Sequence, residues 1–254
     1  MTRLTIAGAG LSAIAVVAAL ASATDRQDTI AVGAFSAAPA GGVMPSPWRP
    51  LTFPKIARHT RYALVADPQR GTVVEARSDA SASGLVRPIE VDPRDGWRLA
   101  WSWKTERVIE RGDVSRREGD DYPVRLYVTF RMPAGRLSAF DRMTRAAAGL
   151  LFGDEVPDAG LSYIWDTRAP AGSIVTNPYT ERVRMIVVES GRERLGRWID
   201  YERDLAADWR AAFGDDPPPI TGIAIMTDAD NTGETARSWY GDIALRRGAL
   251  AAPR

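Results

Sequence analysis

The chain has 254 residues, 45% apolar and 26% charged, with 33 basic and 32 acidic residues giving a formal net charge of +1, a balance without general bias toward nucleic acid or membrane surfaces. It has no cysteine and a single histidine, His59, so one chain cannot form a disulfide, a thiol nucleophile, a zinc–thiolate centre or a multi-histidine metal site. Its basic residues are arginines apart from Lys55 and Lys104, which fits a GC-rich genome better than a phosphate-binding device.

Met1-Thr2-Arg3, an apolar stretch over 4–20 and then Ala21-Ser22-Ala23 predict a secretory leader cleaved after Ala23. An uncleaved anchor is the alternative, but the stretch is rich in Ala and Gly and runs straight into a small-residue cleavage site. The expected location is the periplasm, with no membrane span in the mature form. Residues 24–50 follow as a Pro/Ala/Gly-rich arm, with prolines at 45, 47 and 50 around Trp48. They are expected to lie extended across one domain, 51–246, that ends in a short tail, 247–254.

Strand signals dominate that domain. Apolar or alternating runs occur at Tyr62–Ala66, Val73–Arg77, Gly84–Ile89, Trp97–Lys104 and Val124–Phe130, then at Leu161–Trp165, Val183–Val188, Ile220–Met226 and Trp239–Leu245. Period two puts Trp97, Leu99, Trp101 and Trp103 on one face, whose simplest use is core. The uninterrupted Met185-Ile186-Val187-Val188 predicts a central strand covered on both sides. Two segments show helical period: Leu137–Phe152, and Asp204–Phe213 before Gly214 and an Asp-Asp-Pro-Pro-Pro stop. Together these predict a mainly β, antiparallel β-sandwich with two inserted helices.

Several side chains have chemical potential. In Asp228-Ala229-Asp230-Asn231-Thr232-Gly233, oxygen ligands alternate as a hard cation requires. Asp228, Asp230 and Thr232 could therefore hold a structural calcium ion. Position twelve of the pattern is Trp239 instead of glutamate, however, and an ordinary polar turn gives the same sequence. Asp120 and Asp121, ahead of Arg125, could form an acid–base carboxylate pair or a paired turn. Glu189, at the end of an apolar strand, needs a partner whether its role is structural or catalytic. His59 between Arg58 and Arg61 could act as a base or sit in a plain loop. Trp48, Tyr179 and Trp239 fall in loops or at strand ends, where aromatic faces can stack on sugar rings.

The segments Arg58-His59-Thr60-Arg61-Tyr62, Ser78–Leu85, Gly119-Asp120-Asp121 with Arg125–Val128, Asn177-Pro178-Tyr179-Thr180, Val187–Gly191 and Ile225–Gly233 resemble the bacterial family catalogued as domain of unknown function 3047. The resemblance covers roughly residues 50–246 and implies no activity. The C-terminal third, with its Ile-x-Gly-Ile-Ala-Ile run and closing Trp-Tyr-Gly-Asp-Ile, loosely resembles jelly-roll domains of the galactose-binding and carbohydrate-binding-module type. That likeness implies a sandwich presenting loops or a concave face to a ligand. The expected function is a non-catalytic domain for a saccharide or envelope glycan, with Arg125, Tyr179, Asp228, Asp230, Asn231, Trp239 and Asp242 in contact. Two alternatives stand beside it. One is a polysaccharide hydrolase or lyase using Glu189, Asp120, Asp121 and His59. The other is an assembly factor that grips a protein partner.

Overall fold

A computed structural model describes residues 29–133, 135 and 158–247. The expected leader, the helix predicted over 137–152 and most of the tail lie outside the described residues. Among these residues thirteen strands form two sheets: β1 (Thr29–Gly33), β2 (Arg49–Leu51), β3 (Arg61–Asp67), β4 (Gly71–Asp79), β5 (Ala82–Val91), β6 (Trp97–Thr105), β7 (Arg125–Phe130), β8 (Ala159–Asp166), β9 (Ile174–Asn177), β10 (Thr180–Ser190), β11 (Ile199–Asp204), β12 (Ile220–Asp228) and β13 (Thr235–Arg247). Sheet I runs β11-β6-β13-β4-β3, with β1 also paired to β13. Sheet II runs β2-β5-β12-β7-β8-β10-β9. The 24–50 stretch thus gives a strand to each layer, and Val32, Phe35 and Trp48 from it enter the main core.

Period two explains the layering. On β6, Trp97, Leu99, Trp101 and Trp103 point inward and join Leu126, Val128 and Phe130 of β7 in one core. The alternate residues Arg98, Ala100, Ser102 and Lys104 therefore form the outer face of sheet I. One described α-helix, α1 (Leu205–Phe213), lies where the period of three to four places it. The Asp204 side chain accepts the Ala207 amide at its start, and Gly214 closes it with φ +83°.

Two expectations about sheet II are corrected. It is not wholly antiparallel, because β8 and β10 pair in parallel. Residues 167–179, including β9, supply the crossover that such a pair needs. The Met185–Val188 run is not central either; β10 is next to the edge strand β9. Its second face is buried because the loop before β7 folds over it, packing Val114 and Tyr122 on Ile164, Met185 and Val187.

Candidate functional site

The structure gathers most of the acidic candidates around Arg125 at the end of sheet II. The β7–β12 register puts Arg125 opposite Met226, two residues before Asp228. Arg125 is 2% exposed and Asp228 1%. The guanidinium grips both Asp228 oxygens, Nε lying 2.9 Å from Oδ1, and also donates to the Asp120 carbonyl and the Tyr127 hydroxyl. The Asp120 carboxylate lies 3.4 Å away. Burial alone would lower the guanidinium pKa, but Asp120 and Asp228 push it up, so the cation persists. Asp121 fixes the 228–234 loop: it accepts the Thr232 amide at 2.6 Å and the Asn231 side chain at 3.2 Å.

Tyr179 stands on the rim of this cluster, 51% exposed. Its hydroxyl donates to the Arg117 carbonyl or to Asn231 Oδ1, at 3.1 and 3.0 Å, and the Arg117 guanidinium lies 5.2 Å from its ring. Burial, then the neighbouring Asp121 carboxylate, raises the Asp230 pKa. One oxygen each of Asp121, Asp228 and Asp230 lie within 4.8 Å of one another, a spacing that a calcium ion can bridge. The Thr232 hydroxyl is buried without a hydrogen-bond partner among the described residues, which also suits an extra oxygen ligand. Arg125 already holds Asp228 and Asp121 already accepts from Asn231 and Thr232, so Asp230 is the carboxylate freest to face a cation.

The remaining candidates are scattered. Glu189 receives Arg194 at 2.8 Å and the Tyr201 hydroxyl at 3.0 Å, which makes it the anchor of a turn. His59 bonds the Ile56 carbonyl through Nε2 at 3.1 Å. Trp48 is in the core, its indole N–H donating to the Val32 carbonyl at 2.9 Å; period-based reading placed it in a loop because its neighbours are prolines. Trp239 lies on the outer face of sheet I under Lys104, and Asp242 accepts the Ser36 amide and hydroxyl at 2.8 and 2.6 Å. Thus Asp120, Asp121 and Arg125 meet, whereas Glu189 and His59 have partners of their own elsewhere.

The outer face of sheet I carries a feature that the motifs did not reveal. An open trough of about 400 Å³ runs along β6 and β13, floored by Ala100, Ser102 and Ala244. Arg70, Asp200, Asp242 and Arg246 form its walls, two cations against two anions, with Arg70 paired to Asp200 at 2.7 Å. A bulge in β13 between Tyr240 and Ile243 resets the alternation, which sends Asp242 outward while Ile243 stays in the core. Gly241 is required at the bulge: a Cβ there would stand 2.2 Å from Ser102 Oγ and 3.6 Å from the Trp198 indole. Trp198 stands behind the Arg70 wall, 5.5 Å from that guanidinium, held by its N–H bond to Asp67 at 3.2 Å and by Lys104, 4.9 Å from its ring. The only trace in the sequence is the run of small outward residues, Ala100, Ser102 and Ala244, between larger inward ones.

Fold and surface together define a two-sheet β domain with open polar depressions and no assembled acid–base centre among the described residues. The chain belongs to the family described as Protein of unknown function (DUF3047), whose profile matches residues 46–244. No curated protein matches it. Among solved structures it is similar to the family 11 carbohydrate-binding module of the cellulosomal cellulase Lic26A-Cel5E of Clostridium thermocellum, at 12% identity and TM-score 0.42, covering 91% of this chain and 100% of that one. The same Clostridium thermocellum family in complex with a β-1,3-1,4-mixed-linked tetrasaccharide matches at 13% identity and TM-score 0.37, over 82% and 92% of the two chains. TmCBM61 in complex with β-1,4-galactotriose matches at 12% identity and TM-score 0.33, over 80% and 90%.

Proposed function

We propose that the protein is an exported, non-catalytic saccharide-binding domain of the jelly-roll type, and that the trough on sheet I receives the ligand. The carrying observation is the trough itself. Its floor of small side chains lets a ring lie flat, its walls are polar and charge-balanced, and Tyr201 adds an aromatic residue to the lining. Its volume of about 400 Å³ is in the range of small-ligand sites. Balanced charge favours an uncharged polyhydroxylated ligand, whose hydroxyls both donate to Asp200 and accept from Arg70 or Arg246. Asp242, tied to Ser36, sets the position of the wall.

The hydrolase reading loses support because Glu189, His59 and the Asp120–Asp121 pair do not share a cleft. The protein-partner reading lacks a broad apolar patch: among the described residues the exposed large hydrophobics are Val43, Ile174 and Tyr179. Calcium enters the proposal as a structural ion at Asp121 and Asp230, with Asp228 behind them, and EDTA titration tests it through the melting midpoint.

The main test is thermal melting of the chain with neutral oligosaccharides. A bound member raises the midpoint with the logarithm of its concentration above Kd, by about 2.7 kcal/mol of stability at a hundredfold excess over Kd. Ala244→Phe fills the floor and abolishes the shift while leaving the ligand-free midpoint within about 3 °C. A panel without any shift of this logarithmic form, or a shift that persists in Ala244→Phe, sinks the trough assignment. Reducing-end release that depends on Asp121 or Glu189 would restore the hydrolase reading.

A further inference from the structure

We infer a second, separate ligand site: the open depression between the 56–60 loop and the β4–β5 hairpin binds an oxyanion, the phosphate, sulfate or carboxylate group of a larger ligand. This depression also measures about 400 Å³, and Arg58, Arg61, Arg77, His59 and Asp79 line it. Where the trough balances its charges, this lining sets three guanidinium groups against one carboxylate.

Strand register supplies two of those three arginines and sets another beside them. Arg61 on β3 lies directly opposite Arg77 on β4, and Arg77 lies opposite Arg237 on β13. Directly opposed residues share a face, so three arginines stand side by side across three strands. Like charges in this relation destabilise a sheet, and a break in a local rule of this kind is expected at functional sites. The row is only partly neutralised. Glu75, buried beside it, takes Arg77 Nε at 2.7 Å and Arg237 Nη2 at 2.6 Å. Burial alone would raise its pKa, but these two partners hold it low. Arg58 is paired with Asp79 at 2.7 Å.

Arg61 is different. It is exposed, and its guanidinium has no ion-pair partner among the described residues. An exposed arginine fork in the lining of a depression, with further guanidinium groups beside it, suits an oxyanion. The hairpin that closes the depression is fixed from behind: the Ala80 amide donates to the Glu234 carbonyl and the Ala229 amide to the Ser81 carbonyl, at 2.8 and 3.0 Å. The walls are therefore preorganised.

Thermal melting of the full chain tests this at constant ionic strength, with sodium phosphate, sodium sulfate or sodium acetate replacing chloride. Phosphate and sulfate also stabilise proteins generally by exclusion from their surface, an effect linear in concentration and insensitive to one side chain. The expected result is a rise that is steepest at low millimolar oxyanion and logarithmic above it, lost in Arg61→Gln and partly kept in Arg61→Lys. The order of the three salts distinguishes a tetrahedral from a planar ligand group. In chloride alone, Arg61→Gln relieves like-charge opposition, so its midpoint stays level or rises by up to about 3 °C. A linear rise of equal size in wild type and Arg61→Gln overturns the inference. So does a fall in the chloride midpoint of Arg61→Gln, which would make Arg61 a structural ion-pair partner.

Discussion

Arg125 and Arg61 each sit among charges that do not balance, yet the surroundings give them opposite uses. Arg125 is 2% exposed and carries carboxylates in excess. Its five donors are spent on Asp120, Asp228 and Tyr127, and so it ties the loop before β7 to the end of β12. Arg61 is exposed beside cations in excess, and nothing described neutralises it. Water sets the difference. A charge surplus out of solvent has to be settled within the protein by hydrogen bonds, protons or a bound cation, whereas one at the surface stays available to a ligand.

The largest expected effect comes from removing the buried arginine. Arg125→Ala strands Asp228 without its partner and is expected to cost about 3–5 kcal/mol, read as a fall of about 10 °C or more in the thermal midpoint. A loss below about 1 kcal/mol would erase the distinction between the two arginines. Gly241→Ala comes next. Its Cβ would approach Ser102 Oγ to 2.2 Å, an overpacking expected to cost about 1–3 kcal/mol. Introducing Ser102→Ala as well should recover most of that loss in urea denaturation, because the obstructing atom is a side-chain oxygen.

The smallest effect concerns Asp230, which is half-buried. Its pKa is raised by burial and by Asp121, so the folded state binds a proton more tightly there than the unfolded chain does. Its contribution to stability is then fully present below the ordinary aspartate pKa and is lost as pH rises through the folded value. In EDTA, Asp230→Asn should therefore be more stable than wild type at pH 7 by less than about 1 kcal/mol, after allowance for solvent screening. The difference should vanish toward pH 3, and the variant should lose any midpoint rise on adding calcium. Equal midpoints at both pH values would show that the surplus is settled without Asp230.

Much of the fold could be read from residue spacing. The alternation in Trp97–Lys104 and Val124–Phe130 gave both strands and their inward faces, and Asp204 with Gly214 bounded the helix. The short edge strands β2 and β9 carry no periodic signal, and the buried face of β10 is made by a loop whose position no local pattern encodes. In the site, Asp120, Asp121, Arg125, Asp228, Asp230 and Asn231 do converge. Composition alone could not say that most of them would be shielded from ligand, since burial depends on how Tyr122 and the 106–124 loop fold over. The trough and the arginine row depend on which strands become neighbours. Both arise from register between segments distant in the chain, where a shift of one residue would turn every outward side chain inward.

The place of β13 has a further consequence. It is the last described strand in the chain and yet joins sheet I across its middle: β6 and β11 lie on one side of it, β4, β3 and β1 on the other. Until residues 235–247 are in place, the β4 flank and the β6 flank have no strand that hydrogen-bonds one to the other, so this layer closes only when β13 docks between them.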